Sequence, residues 1–107
     1  MARVLILEPN PELRELFGHV VTRLGHEVVG RDDARSADVV ILEPASDEEL
    51  ALAVSLRQER PDVGAICASI YTRDERVNAL GPDAYLLKPF TIAQLESVLD
   101  GVLALVS

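Results

Sequence analysis

Val39-Val40-Ile41-Leu42-Glu43-Pro44 is a continuous apolar run that stops at a carboxylate and a proline. A short run of this kind, bounded by breakers, reads as a strand buried on both faces of a parallel sheet. The chain carries a near twin of it earlier, Val4-Leu5-Ile6-Leu7-Glu8-Pro9. Two strands that each end in Ile-Leu-Glu-Pro set two acidic groups at one edge of one sheet.

Reading outward from these runs, Arg3–Leu7 is the first strand and Val39–Leu42 the third. After the first strand, Asn10-Pro11-Glu12 opens a helix. Asn10 stands as N-cap, Pro11 takes the first helical position, and Glu12 and Glu15 lie in the positive first turn. Leu13, Leu16, Phe17, Val20, Val21 and Leu24 form its apolar stripe, and Gly25 ends it as a C′ glycine. His26–Gly30 reads as a short second strand. Arg31–Ala37 is a polar connector, too short for a useful helix.

Beyond the third strand, Ser46 and Glu49 make a capping box that opens a helix through about Glu59, with Leu50, Ala53, Val54 and Leu56 apolar. Pro61 stops it. Val63–Ala68 is a fourth apolar strand ending at Ser69. Thr72 and Glu75 form another capping box, for a helix of about two turns with only Val77 and Leu80 to bury before Gly81-Pro82. Ala84–Leu87 is the fifth strand, followed by Lys88-Pro89-Phe90. Thr91 and Gln94 cap a last helix striped by Ile92, Leu95, Val98, Leu99, Val102 and Leu103. Gly101 within it costs about 1 kcal/mol against alanine, less than the stripe supplies. Strands alternate with helices and hairpin signals are absent, which predicts an α/β doubly wound domain with a five-stranded parallel sheet.

The chain has 107 residues, enough for one domain spanning 1–107. Apolar residues make up 49% and aromatics 4%, so the core is aliphatic, and a charged fraction of 26% fits a folded chain. The net charge of −8 argues against a nucleic-acid surface, which needs clustered Lys and Arg. The longest apolar runs are strand-sized, not membrane-spanning, and Met1-Ala2-Arg3 enters a strand without a signal-peptide pattern. A cytoplasmic location is expected. Cys67 sits in an apolar run and reads as a small core hydrophobe. His19 lies off the helical stripe and His26 follows a helix-ending glycine; both read as surface residues without a metal partner at ligand spacing. A glycine-rich phosphate loop is missing after the first strand.

In open parallel sheets the functional crevice lies beyond the carboxyl ends of the strands. Those ends are Glu8-Pro9-Asn10, Glu43-Pro44, Ser69 and Lys88-Pro89. Two carboxylates, a hydroxyl and an ammonium group converge there. A carboxylate pair can hold a divalent cation, a lysine can neutralise a phosphoryl oxygen, and a hydroxyl can donate to it. The competing reading from spacing alone is structural: Lys88 neutralises Glu8 and Glu43 as an ion pair.

Arg3–Leu16 (RVLILEPNPELREL), Ala37–Glu43 (ADVVILE) and Gly81–Phe90 (GPDAYLLKPF) resemble the receiver domain of two-component response regulators, and the resemblance spans the whole chain. It implies a flavodoxin-like sheet of order 2-1-3-4-5 and a role in phosphorelay signal transduction in bacteria. It also implies an acidic pair after strand one and an aspartate after strand three that bind magnesium, the aspartate accepting a phosphoryl group. A Ser or Thr after strand four and the Lys of Lys-Pro contact that group, and an aromatic in strand five reports the state. By the resemblance Ser69, Tyr85 and Lys88 are the switch and phosphoryl-contact positions, and Glu8 keeps the first acid. Pro9 stands in place of the second acid, and Glu43 in place of the phosphoacceptor.

Proline offers a hard cation no side-chain oxygen. Glutamate adds a methylene, and moving a nucleophile by about 1 Å can cost on the order of 10²-fold in rate. The reading is therefore a pseudo-receiver, not an enzyme, with no catalytic residue and no cofactor, acting by protein–protein interaction. Glu43 would hold Lys88 and Ser69 without a kinase, or serve only as a salt-bridge partner of Lys88. One alternative is an active receiver using Glu43, with magnesium on Glu8 and Glu43; another is a small-ligand-binding flavodoxin-like domain.

The connector Arg31–Ala37 replaces the usual second helix of that family. Seven extended residues reach about 24 Å, against a crossover of about 16–17 Å set by strand length and spacing. The expected consequence is an exposed apolar patch over strands one and two, covered by a partner or a second copy. The other expected contact surface is made by the last two helices and strand five (helix 4–strand 5–helix 5 in the family). Neither membrane nor nucleic-acid contact is expected.

Overall fold

The computed structural model describes residues 1–106. Five strands, β1 (Arg3–Leu7), β2 (Glu27–Val29), β3 (Val39–Leu42), β4 (Gly64–Ser69) and β5 (Ala84–Leu87), form one all-parallel sheet of order β2-β1-β3-β4-β5. Three α-helices accompany them: α1 (Pro11–Arg23), α2 (Asp47–Glu59) and α3 (Ile92–Val106). β3 is buried at every residue, as its unbroken apolar run requires. It pairs with β1 from Val4↔Val39 to Leu7↔Leu42, which brings the two Ile-Leu-Glu ends side by side.

Alternating strand residues supply two cores. Val4, Ile6, Val39, Ile41 and Ile66 pack with Phe17, Val20 and Val21 of α1 and with Leu95, Leu99 and Val102 of α3. Leu5, Leu7, Val40, Leu42 and Cys67 pack on the other face with Leu50, Ala53 and Leu56 of α2. The helix starts follow their local chemistry. The Asn10 side chain accepts from the Glu12 (2.9 Å) and Leu13 (3.3 Å) amides, and Gly25 adopts φ 87° behind α1. At α3 the capping box is reciprocal: Gln94 N–H donates to Thr91 Oγ1 (3.0 Å) and Thr91 N–H donates to Gln94 Oε1 (2.7 Å). At α2 only half of it forms. Glu49 N–H reaches Ser46 Oγ (3.5 Å), while the Glu49 carboxylate turns instead to Arg31.

Three expectations change. The segment after Thr72 is a single 3-10 turn, Glu75–Val77, and its cap is Asp74, which accepts from the Arg76 amide at 2.9 Å. Val77 and Leu80 are buried as expected, but two apolar residues are too few to hold a second turn, and Gly81 closes it at φ 58°. The connector is also more ordered than its composition suggests. Arg31–Ser36 forms 3-10 turns kinked at Asp33, between extended Gly30 and Ala37.

The third change concerns the face expected to lie bare over strands one and two. It is covered. Leu5, Leu7 and Val29 are buried, and Ala34 of the connector packs against their cluster. The apolar residue that β2 does expose, Val28, lies on the opposite face of its strand. The seven-residue connector suffices as a cover because it folds compactly, turns Ala34 and Ala37 inward and is tied down by arginine contacts.

Candidate functional site

The carboxyl ends of β1, β3, β4 and β5 bring together Glu8, Glu43, Ser69 and Lys88. The Lys88 ammonium lies between the two glutamates, 2.6 Å from Glu8 Oε1 and 3.0 Å from Glu43 Oε1. The remaining oxygen of each carboxylate is also engaged. Glu8 Oε2 accepts from the Asn10 amide and Glu43 Oε2 from the Ala45 amide, each at 3.1 Å. Glu8 is nearly buried, at 4% exposure. A carboxylate so far from water needs all of these partners. Burial works to lower the pKa of Lys88, but the hydrogen bonds and charges of Glu8 and Glu43 outweigh it, and the net shift is upward.

Backbone pairing sets the geometry. Glu43 N–H donates to the Leu7 carbonyl (3.0 Å) and Lys88 N–H to the Ser69 carbonyl (2.8 Å), which pins each strand end to its neighbour. Lys88 is followed by Pro89 across a cis peptide bond. Pro9, beside Glu8, is exposed, and Pro44 beside Glu43 is buried.

Ser69 and Tyr85 stand to one side of this trio and are joined through a third residue. The buried Ser69 hydroxyl accepts from the Tyr71 amide (3.2 Å), and the Tyr85 hydroxyl donates to the Tyr71 carbonyl (2.9 Å). Ser69 is thus engaged by the backbone of its own loop and not by Glu43. Tyr85 is half-buried, and burial raises its pKa, with the Ser69 hydroxyl working the other way. A cleft of about 290 Å³ opens beside the pair, lined by Pro44, Ser69, Tyr71, Asp74, Arg76 and Tyr85. Arg76 closes one wall by donating to the Pro44 carbonyl at 3.0 Å.

Sequence reasoning missed Tyr71 and Ala45, and the amide of Asn10, because each contributes here through its backbone. The signal that was available is spacing: a side-chain oxygen at i accepts from the amide at i+2 at Glu8, Glu43 and Ser69 alike. His26 was read as a surface residue. It is half-buried, and its Nδ1 accepts from the Ala2 amide at 3.0 Å. His19 is exposed beside Glu15. Cys67 is fully buried, and burial pushes its thiol up to about 12.

The same fold recurs in solved structures. The chemotaxis protein CheY4 of Vibrio cholerae superposes with a TM-score of 0.80 at 22% identity, covering 95% of this chain and 98% of that one. The fold is that of a response-regulator receiver domain. The receiver domain of DrrB, solved in its BeF3-activated form, gives a TM-score of 0.82 at 18% identity, with 97% and 98% covered. NtrX of Brucella abortus gives 0.83 at 21% identity over 98% of this chain but 28% of that one. In sequence, the chain is 32% identical to the transcriptional activator PfeR of Pseudomonas aeruginosa, over 94% of its own length and 37% of the activator's. The receiver-like chain therefore spans a little over a third of that relative. No family model matches the chain. The receiver resemblance read from Arg3–Leu16 and Gly81–Phe90 is borne out in the fold. Among the described residues, no helix is long and apolar enough to cross a membrane.

Proposed function

We propose that this receiver-type domain works in two-component signal transduction as a pseudo-receiver, its phosphoacceptor crevice held shut by its own side chains. One observation carries the reading. Lys88 is clamped between Glu8 and Glu43, and the second oxygen of Glu43 takes the Ala45 amide. A phosphoryl group entering here would have to displace Glu43 from both donors. In-line phosphoryl transfer depends on positioning, so a nucleophile already bound in the wrong place loses most of its rate.

Magnesium fits the crevice poorly. Pro9 supplies no side-chain oxygen, and an ammonium group already lies within 3.0 Å of both carboxylates that would have to bind the ion. The chain would then act through protein contacts. The surface that favours this is formed by β5, the preceding loop and the start of α3, where Tyr71, Leu87 and Ile92 are exposed. Its occupant would be a partner protein or a second copy, and the likeness to a transcriptional activator supports gene regulation as one use of such a contact. With a net charge of −8 the domain itself would leave nucleic acid to others.

The test is titration with magnesium and beryllium fluoride, a phosphoryl mimic, followed by amide and tyrosine resonances. A shut crevice gives no saturable shift at Ser69, Lys88 or Tyr85. A saturable shift at these positions would establish instead the magnesium-dependent receiver with Glu43 as acceptor.

A further inference from the structure

We propose that Arg31–Ser36 is a charge-latched strap, which opens as a unit while the sheet stays folded, and that Glu49 is its latch. The strap contributes no buried residue of its own, and its apolar contact with the core comes from half-buried Ala34. Arginine contacts hold it down. Arg31 pairs with Glu49, Arg35 pairs with Glu59 (3.2 Å), and Arg60 donates to the carbonyls of Arg35 and Ala37 (2.8 Å to Ala37). Beneath it lie Leu5, Leu7 and Val29, which opening would expose.

The two ends of the strap are held unequally. Arg35 and Glu59 are open to solvent, and such a pair contributes little and is screened by salt. Glu49 is different. Its side chain is 5% exposed, and its Oε2 has no hydrogen-bond partner. Arg31 is half exposed, so it can exchange Glu49 for water at small expense, whereas Glu49 cannot do without Arg31. Losing Arg31 would leave both oxygens of a carboxylate that α2 keeps from water without partners, so the pair favours closure of the strap without making the fold as a whole more stable. Segments with few buried apolar contacts open below the global unfolding free energy, and the solvent-open Arg35–Glu59 pair makes this one sensitive to ionic strength.

Hydrogen exchange on the full chain tests this at the Asp33 and Ala37 amides, whose bonds to the carbonyls of Gly30 and Ala34 close the two ends of the strap. In the wild type they should exchange at least about tenfold faster than the β3 amides, as a sub-global opening requires. Raising salt from about 0.05 to 0.5 M should speed them at least about threefold and leave β3 unchanged. Glu49→Leu removes the stranded oxygen, so its urea midpoint should hold or rise while strap exchange accelerates about a further tenfold. Strap amides that exchange at the β3 rate and ignore salt would overturn the proposal. So would a folded Glu49→Leu protein with unchanged strap exchange. If that variant does not fold, the salt series on the wild type decides.

Discussion

Lys88 separates two carboxylates that would otherwise face each other at the edge of the sheet, and Glu8 has almost no water to fall back on. Replacing it with methionine strands both charges and should cost about 3 kcal/mol at neutral pH, read as a lower urea midpoint. The same residue sets an alkaline limit. Its folded pKa lies above the ordinary 10.5, so its contribution is complete below pH 10.5 and is lost as pH rises through the raised value. Cys67 acts in the same direction. Burial lifts its thiol from 9.0 to about 12, so the unfolded chain ionises first and stability falls across that window. Stability should therefore decline from pH 9 upward. Cys67→Ala should remove the portion of the decline below pH 10, where the raised Tyr85 hydroxyl begins to add to it, and a midpoint that stays flat from pH 9 to 12 in the wild type would contradict these contributions.

At the scale of elements, α3 packs its side chains directly over β4 where that strand has no side chain, at Gly64. A Cβ built on Gly64 would meet Val102 Cγ1 at 2.6 Å and Val106 Cγ1 at 3.2 Å. Gly64→Ala should thus lower stability by about 1–3 kcal/mol through overpacking. Trimming the opposing residue in Gly64→Ala/Val102→Ala should leave a loss smaller than the sum of the two single changes, a non-additivity that a double-mutant cycle measures directly. Equal and additive losses would show that helix and strand do not meet there. Nothing in the sequence around Gly64 announces this approach, because the Val102 it meets lies 38 residues further on. What was legible has local causes: the unbroken run of β3, the Asn10-Pro11 start of α1, and the Thr91/Gln94 box of α3. The Ser46/Glu49 and Thr72/Glu75 pairs look equally good as sequence, yet neither forms the full box. Arg31 draws off Glu49 across 18 residues, and too little apolar surface follows Thr72. The covering strap was missed for the same reason, since its arginine contacts are made across the fold.

Over the whole molecule, the receiver fold delivers Glu8, Glu43, Ser69 and Lys88 to one crevice, and the proposed pseudo-receiver reading turns on what lines it. The four strand-end residues were legible because parallel strands deliver their carboxyl ends to one place whatever the loops do. Their partners were not, being backbone amides of Asn10, Ala45 and Tyr71. If occupation by Glu43 and the missing oxygen at Pro9 are what keep the crevice shut, the two defects should be reversible together and not singly. Glu43→Asp alone withdraws the carboxylate by a methylene, and Lys88 remains on Glu8. Pro9→Asp alone adds an oxygen beside a site still filled. The double change Pro9→Asp/Glu43→Asp supplies two acids to compete with Lys88 for a hard cation. It should therefore gain magnesium binding detectable by calorimetry, and a beryllium fluoride response at Ser69 and Tyr85 that neither single variant shows. Because the chain has two tyrosines and no tryptophan, tyrosine emission reports the same event. A double variant that folds but binds no magnesium would mean that the crevice is shut elsewhere, and the loop joining Ser69 to Tyr85 through Tyr71 is the contact to release next.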